Sequence, residues 1–232
     1  MDFSGERFVP GKTSQRIRDD TEARYRFAQK FVRGKDVLEI ACGTGMGTAL
    51  LRESGARSVI GADVDGTSLV YAQEHFGGEG VTFRKWNLEE LDVTEAFDLI
   101  VCFETIEHVR AYKRCLHNLW KALRRGGMLL LSTPNRRITS PSLKTVHDAP
   151  PSPFHTQEFV PEEMRLLLIE AGFEPASLLL FGQRQQPYFS SRILRFLYKK
   201  LFDPGHRTSA TFEPIKPGLH PRDFLFLARK SG

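Results

Sequence analysis

The sequence predicts an α/β fold in which a mostly parallel sheet is covered by helices on both faces. Strand and helix patterns alternate along the chain, and the strands are nearly continuous apolar runs such as FDLIVCF at 97–103. Such runs are typical of parallel strands that are buried on both faces. A glycine-rich turn, ACGTGMG at 41–47, follows the first strand. Because ligands of these sheets bind at the carboxyl ends of the strands, we expect a binding site there.

Each element follows from a local pattern. The first helix is predicted at 22–32, where the apolar residues recur at helical spacing. Further helices are predicted at 47–54, 68–76, 111–123 and 161–171. Seven strands are predicted, at 36–41, 58–63, 81–86, 97–103, 128–133, 176–181 and 224–229. The 232 residues fit a single domain, 1–232. Two segments that follow strand ends, 135–154 and 183–223, are expected to cover the site.

The composition is that of a globular protein and predicts a cytoplasmic location. Apolar residues make up 41% and charged residues 26% of the chain, and no run approaches the roughly 20 apolar residues of a membrane span. The first residues are polar and lack the apolar segment of a signal peptide. Cys42, Cys102 and Cys115 have no paired spacing, which indicates reduced thiols and argues against a zinc site.

Positive charge is concentrated near the C-terminus. Residues 183–232 contain ten Lys or Arg against three Asp or Glu. Within them, 187–202 is predicted to form a helix with an apolar face of Ile193, Phe196, Leu197 and Leu201, and with Arg192, Arg195, Lys199 and Lys200 interspersed. Such a helix suits a membrane surface, an acceptor lid or the edge of the sheet, and the basic segment also permits nucleic acid. The alternative is a solvated basic face. The oligomeric state is not predicted.

The glycine-rich turn predicts a ligand other than a phosphate. Glycines let the backbone approach a ligand closely, but no Gly-Lys-Ser/Thr follows, as a phosphate-binding loop requires. Glu39 lies inside the preceding strand, where its carboxylate suits a ligand that carries an ammonium and a sulfonium. Asp63 ends the second strand, where a carboxylate accepts hydrogen bonds from a ribose diol. Asn87 ends the third strand and is placed to bond an adenine edge, with Leu88 against the ring.

These motifs together resemble those of class I S-adenosylmethionine (SAM)-dependent methyltransferases. The matching stretches are E-x-A-C-G-T-G at 39–45, G-A-D-V-D at 61–65, W-N-L at 86–88, FDLIVCFETIEHV at 97–109 and GGMLLLSTPN at 126–135. The resemblance implies a Rossmann-like, seven-stranded, mostly parallel sheet and a SAM-dependent enzyme that releases S-adenosyl-L-homocysteine. It implies SAM contacts from Glu39, Ala41, Gly43, Gly45, Asp63, Val64, Asn87, Leu88 and Phe103. The alternatives are a chance glycine-rich turn and a regulatory protein that binds SAM without catalysis.

The stretch Glu104-x-x-Glu107-His108 follows the fourth strand. If a helix starts here, the three side chains lie on one face, and two carboxylates with an imidazole suit Mg²⁺ or Mn²⁺. The alternative is a helix start, where acidic residues are favoured by the positive end of the helix dipole. In that case a histidine would serve as a general base.

A second stretch, FHTQEFVPEEM at 154–164, bears on the choice. It resembles the H-x-x-E-[WF] element of small-RNA 3′-end 2′-O-methyltransferases, and it is similar to quinone-pathway O-methyltransferases. These families imply metal ligation by Glu104, Glu107, His108 and His155, with Glu107, His108 and His155 as catalytic residues. Pro161 in this stretch is also explained as a first-turn helix residue.

The acceptor is predicted by analogy alone. GERFVPG at 5–11 and the 154–163 stretch resemble bacterial methyltransferases of glycan and secondary-metabolite pathways. This resemblance implies O-methylation of a sugar hydroxyl on a small-molecule acceptor. RNA 2′-hydroxyls and quinone or phenol hydroxyls are the rival acceptors, although no RNA-binding module is recognisable.

Overall fold

The computed structural model describes residues 13–202 and 209–232. The GERFVPG motif at 5–11 therefore lies outside the described residues. The helices are α1 (Gln15–Ala28), α2 (Met46–Glu53), α3 (Gly66–Phe76), α4 (Tyr112–Ala122), α5 (Arg136–Thr139), α6 (Pro161–Glu170) and α7 (Arg192–Phe202). Short 3₁₀ helices occupy Gln29–Phe31, Leu88–Glu90 and Pro175–Ser177. The strands are β1 (Asp36–Ile40), β2 (Ser58–Asp63), β3 (Val81–Lys85), β4 (Phe97–Phe103), β5 (Leu123–Pro134), β6 (Leu179–Gln183), β7 (Gln186–Pro187), β8 (Glu213–Pro214), β9 (Leu219–His220) and β10 (Asp223–Arg229).

The main sheet has the strand order β3-β2-β1-β4-β5-β10-β6-β8. Strands β1 to β5 pair in parallel, whereas β10 is antiparallel to both β5 and β6. The mostly parallel sheet is thus confirmed. The predicted strand number is wrong, because the segment at 183–223 adds β8 to the edge of β6 and makes eight strands. The same segment also forms a separate β7–β9 ribbon.

Alternating side chains of each strand pack on opposite faces, and this places helices on both sides of the sheet. On β4, Ile100 and Cys102 join the buried cluster that contains Leu116 and Leu119 of α4 and Leu168 of α6. Leu99 and Val101 join the opposite cluster, with Phe27 of α1 and Leu51 of α2. Because both faces are covered, the carboxyl ends of the parallel strands are the place where polar side chains can converge. We call this side of the sheet the carboxyl edge.

Four predicted element starts differ from the structure by three residues or more. Strand β5 starts at Leu123 rather than at residue 128, since Leu123 already pairs with Phe97 of β4. Helix α1 starts at Gln15 rather than at residue 22. Its N-terminal half has no apolar stripe to signal a helix, because its one buried side chain is that of Asp20. Strand β6 starts at Leu179 rather than at residue 176, since Pro175 opens a 3₁₀ turn. Helix α7 starts at Arg192, not at residue 187. Among the described helices, none combines the length and the apolar character needed to cross a bilayer.

Candidate active site

The turn after β1 has a backbone that few residues adopt. Ala41, Gly43 and Gly45 have φ angles of 57°, 53° and 84°, in the left-handed region. A Cβ atom on Gly45 would lie 2.7 Å from the Cβ of Ala72 and 2.8 Å from the ring of Phe83. Glycine is therefore required at position 45 by both backbone and space. Ala41 tolerates the left-handed conformation at an energetic cost, and it stays exposed at the carboxyl edge.

Glu39 lies beneath this turn and is almost fully buried. Its two carboxylate oxygens accept hydrogen bonds from the hydroxyls of Tyr25 on α1 and Thr48 on α2. Burial raises the pKa of Glu39 to about 7, although both hydroxyl donors oppose the shift. Removing the carboxylate from water thus makes its charge costly, and a nearby cation would stabilise that charge.

The ends of β2 and β3 lie beside the turn. The Oδ2 of Asp63 accepts a hydrogen bond of 2.8 Å from the Gly43 amide, and its Oδ1 accepts one of 2.9 Å from the Asp65 amide. Asn87 uses its Oδ1 to accept from the Glu89 amide at 3.0 Å, so its amide nitrogen is the end suited to donate to an adenine nitrogen. The structure therefore brings the turn and Asp63 together through direct contact.

The three apolar residues predicted to contact SAM differ in exposure. Leu88 is buried and Phe103 is half-buried, with its ring 5.7 Å from that of Tyr25, centroid to centroid. Val64 is 58% exposed, directly after Asp63.

The segment after β4 differs from the helix start considered for Glu104-x-x-Glu107-His108. It forms turns rather than a helix, and Glu104 has a φ of 46°. The Oε2 of Glu104 lies 3.1 Å from Arg24 Nη2, and its Oε1 accepts a hydrogen bond of 2.8 Å from Ser132. Because Glu104 is directed toward the guanidinium of Arg24 on α1, it does not join the other predicted metal ligands.

The other three residues do converge. Candidate ligand atoms of Glu107, His108 and His155 all lie within 4.8 Å of one another, and we call this group the Glu–His cluster. The imidazole centroids are 5.0 Å apart, and His108 Nε2 lies 3.9 Å from Glu107 Oε1. Glu107 is 1% exposed and accepts a hydrogen bond of 2.8 Å from Thr133. Burial, followed by the charge of Glu104, raises the pKa of Glu107.

Hydrogen bonds at Nδ1 fix the tautomers of both histidines. The Nδ1 of His108 lies 2.9 Å from the carbonyl oxygen of Phe154, which only accepts hydrogen bonds. The Nδ1 of His155 lies 2.8 Å from Glu158 Oε1. Burial alone would raise the pKa of Glu158, but hydrogen bonds from His155, Ser140 and Thr139 hold the pKa below its usual value, so this carboxylate is also an acceptor. When neutral, each imidazole therefore carries its proton on Nδ1, which leaves Nε2 as its basic nitrogen.

Sequence reasoning missed several residues of the site. Tyr25, Thr48 and Arg24 were assigned only to helices, and Glu158 was noted in its motif without a role. The buried Nε of Arg24 has no hydrogen-bond partner among the described residues. The one available signal was the helical spacing that sets Arg24 four residues after Asp20, a pairing of charges that apolar periodicity ignores.

Fold and site together define a class of protein. The strand order, the glycine turn after β1 and the acid that ends β2 are those of class I SAM-dependent methyltransferases. A solved SAM-dependent methyltransferase from Mesorhizobium loti has the same fold, with a TM-score of 0.62 over 91% of this chain and 100% of that chain at 19% identity. The profile of the methyltransferase domain family matches residues 13–178, and the chain belongs to this family.

Two curated relatives are similar over most of the same region. A probable SAM-dependent methyltransferase of Mycolicibacterium smegmatis is 36% identical over 177 residues, which cover 75% of this chain and 66% of that protein. A ubiquinone biosynthesis O-methyltransferase of Azorhizobium caulinodans is 30% identical over 157 residues, 63% of this chain and 62% of that protein. The chain thus spans just under two thirds of the length of each.

Proposed function

We propose that this chain transfers a methyl group from SAM to a hydroxyl of a small-molecule acceptor with vicinal oxygens, such as a sugar. The observation that carries the proposal is the Glu–His cluster, in which both imidazoles present Nε2 as the basic nitrogen. The cluster follows β4 at the carboxyl edge, the same edge as the glycine turn. A base beside a methyl donor is what O-methylation requires.

The donor would bind over the turn after β1. In this proposal Glu39 stabilises the cationic methionine end of SAM, Asp63 holds the ribose diol, and Asn87 donates to the adenine. The unpartnered Nε of Arg24 supplies a donor for the methionine carboxylate. The remaining contacts come from the backbone of the turn and from apolar side chains: Ala41, Gly43, Gly45, Val64, Leu88 and Phe103.

With the donor over the turn and the acceptor at the Glu–His cluster, methyl transfer takes place in one step. The acceptor oxygen attacks the methyl carbon of SAM, the carbon–sulfur bond breaks, and its electron pair stays on sulfur in S-adenosyl-L-homocysteine. The hydroxyl proton passes to Nε2 of His155. Glu158, bonded to Nδ1, stabilises the imidazolium that forms. Orientation of the two reactants contributes much of the rate.

The cluster also fits a divalent cation. One carboxylate and two imidazoles, each oriented through its other nitrogen, form a donor set that suits Mn²⁺ better than Mg²⁺, which prefers oxygen ligands. Glu107, His108 and His155 would hold the ion, without Glu104. When bound, such an ion lowers the pKa of a coordinated hydroxyl and orients neighbouring oxygens.

A catechol or quinol is the second candidate acceptor. It is favoured by the similarity to the Azorhizobium caulinodans relative, whose name assigns it an O-methyltransferase role in ubiquinone biosynthesis. Both acceptor classes carry neighbouring oxygens, so the proposed site chemistry is the same for each.

The first test is calorimetric titration of Mg²⁺ and Mn²⁺ into the protein bound to S-adenosyl-L-homocysteine. Glu107→Ala and His155→Ala should abolish cation binding, whereas Glu170→Ala and His147→Ala, at exposed positions, should not. A panel of sugar diols and catechols is then assayed for methylation by mass spectrometry. If an acceptor is methylated equally well by the parent and by both cluster variants, the proposed role of the cluster is wrong.

A further inference from the structure

Helix α7 turns its apolar side chains toward solvent. Of the eleven exposed large hydrophobic side chains among the described residues, six lie on this one helix. Ile193, Phe196 and Leu201 are 71%, 64% and 66% exposed. The other three are Leu194, Leu197 and Phe202. A cluster of this kind on one short element marks an interaction surface rather than ordinary surface variation.

The opposite side of the helix contacts the segment that immediately precedes it. Arg195 donates from Nη1 to the carbonyl oxygens of Phe189 and Ser190, at 2.8 and 2.7 Å. The ring of Tyr198 packs against Phe189, with centroids 5.5 Å apart. A surface helix normally buries its apolar stripe against its own domain. Here Arg195 and Tyr198 face the preceding segment and most of the apolar side chains face solvent, so the apolar face is available to a partner.

The charge around this face selects the kind of partner. Residues 175–202 contain five Lys or Arg and no Asp or Glu. Arg192 and Lys200 are exposed, and at 100° per residue they lie beside Ile193 and Phe196 rather than on the inward side. An apolar face flanked by cations and free of acids complements a surface that is apolar inside and anionic at its boundary.

The helix is tethered at the carboxyl edge. Strand β6 runs parallel to β5, because both are antiparallel to β10, so the segment after Gln183 leaves the sheet at that edge. The β7–β9 ribbon then fixes the start of the segment, and the rings of Tyr188 and His220 lie 5.7 Å apart. His220 in turn lies 3.5 Å from Arg137, directly after β5. A surface bound to α7 is thereby connected to the side of the sheet that carries the candidate site.

We propose that α7 is an interfacial helix that docks this chain onto an anionic lipid bilayer. The outward apolar side chains enter the boundary between headgroups and acyl chains, and Arg192 and Lys200 contact lipid phosphates while their stems stay among the apolar residues. The inference does not rest on methyl transfer, because it uses only the exposure and charge of this helix.

The test is co-sedimentation with phosphatidylcholine vesicles that contain either no anionic lipid or about 30% phosphatidylglycerol, a content that gives a negative surface potential. Binding should be at least about tenfold tighter to the anionic vesicles and should weaken as salt is added. Arg192→Gln with Lys200→Gln should lower this affinity about ten- to thirtyfold. The control, Arg33→Gln with Arg125→Gln, removes two exposed cations elsewhere and should change it little.

The contribution of the apolar side chains to vesicle binding is tested with Phe196→Ser and Leu201→Ser together. This double variant should lose vesicle binding, whereas Val70→Ser with Leu166→Ser, which removes two exposed apolar side chains from α3 and α6, should keep it. Circular dichroism and thermal unfolding verify that each variant is folded. If a variant is not folded, a substitution at Ile193 is used in its place.

Three outcomes would overturn the proposal. The first is equal binding to neutral and anionic vesicles, and the second is no binding to either. The third is a dimer in light scattering that Phe196→Ser with Leu201→Ser converts to a monomer without any effect on vesicles, because the face would then belong to a second copy. Sedimentation is measured without SAM or acceptor, so its failure leaves the proposed methyl transfer untouched.

Discussion

Glu39 illustrates how one buried carboxyl couples stability to ligand binding. Its pKa rises from 4.5 in an exposed state to about 7 when it is folded beneath the glycine turn. Below pH 4.5 the group is protonated in both states and has no effect. Between pH 4.5 and 7 the unfolded chain ionises first, so the folded state loses stability as the pH rises. Above pH 7 the loss is complete, and a cationic ligand at this position would offset it.

We expect Glu39→Gln to remove this pH dependence. Relative to the parent, the variant's free energy of unfolding should increase by about 2–3 kcal/mol between pH 4.5 and pH 8, because each pKa unit corresponds to about 1.4 kcal/mol. Urea unfolding of both proteins at several pH values measures the difference. Glu170→Gln, at an exposed position, is the matched control. A difference that stays constant with pH would show that Glu39 is solvated in the folded protein.

Glu158 is the residue through which we expect His155 to be oriented. Replacing it by Gln allows the amide to donate to Nδ1, which would move the proton of His155 to Nε2. We expect Glu158→Gln to lower turnover about ten- to a hundredfold, as the loss of such an outer hydrogen bond does elsewhere. Nitrogen chemical shifts of labelled histidine report the tautomer directly and need no acceptor. If the shifts of His155 match those of the parent, Glu158 does not set the tautomer.

Local pattern predicted the positions of several site residues, but not their partners. Asp63 follows from its position at a strand end, and His155 follows from the resemblance of its motif to those of known methyltransferases, because both signals are confined to a few neighbouring residues. Glu104 was misassigned because its partner, Arg24, lies 80 positions earlier, and no local pattern indicates that contact. Tyr25 was missed for the same reason, since its bond to Glu39 exists only after α1 docks on the sheet.

At the scale of elements, apolar periodicity predicted the helices and strands that bury a regular set of apolar side chains, and it missed those that do not. It located α4 and β4 within one residue, because both bury a regular apolar set. It missed the first seven residues of α1, where the one buried side chain is that of Asp20. It also missed β8, which is only two residues long and exists through pairing with β6.

The docking of α1 depends on the absence of a side chain at Gly47. A Cβ atom there would lie 2.1 Å from the Tyr25 ring, so Gly47→Ala must push Tyr25 away from Glu39. We expect a loss of about 1–3 kcal/mol in the free energy of unfolding from this overpacking, together with weaker SAM binding. Chemical denaturation and donor titration measure the two effects.

The control for Gly47→Ala is another glycine at a helix start. A Cβ atom on Gly66, the first residue of α3, would meet nothing within 4 Å. Gly66→Ala should therefore leave stability unchanged or raise it by about 0.4–1 kcal/mol, through restriction of the unfolded chain. Equal losses in both variants would mean that the effect at Gly47 comes from helix propensity and not from Tyr25.

At the scale of the whole molecule, a buried charge network joins the two ends of the chain. Asp20 on α1 is 4% exposed, and its Oδ1 lies 2.6 Å from Arg184 Nε, just after β6. Its Oδ2 lies 3.9 Å from Arg222, just before β10, and its backbone carbonyl accepts a hydrogen bond of 3.0 Å from Gln183. Helix α1, which contacts Glu39 beneath the glycine turn, is thus fastened to the antiparallel half of the sheet, and the two halves should unfold together.

Asp20→Asn tests this coupling. The substitution keeps the shape of the side chain but removes the charge of Asp20 from the buried guanidinium of Arg184. Breaking a buried pair in this way costs about 3–5 kcal/mol, so we expect a loss of that order in the free energy of unfolding. Asp19→Asn, one residue earlier and exposed, should cost less than about 1 kcal/mol. Hydrogen exchange locates the effect: amides of α1 and of β10 should lose protection to the same extent. Loss of protection in α1 alone would show that the helix opens independently of the sheet, and the network would then be a local contact rather than a link between the two halves.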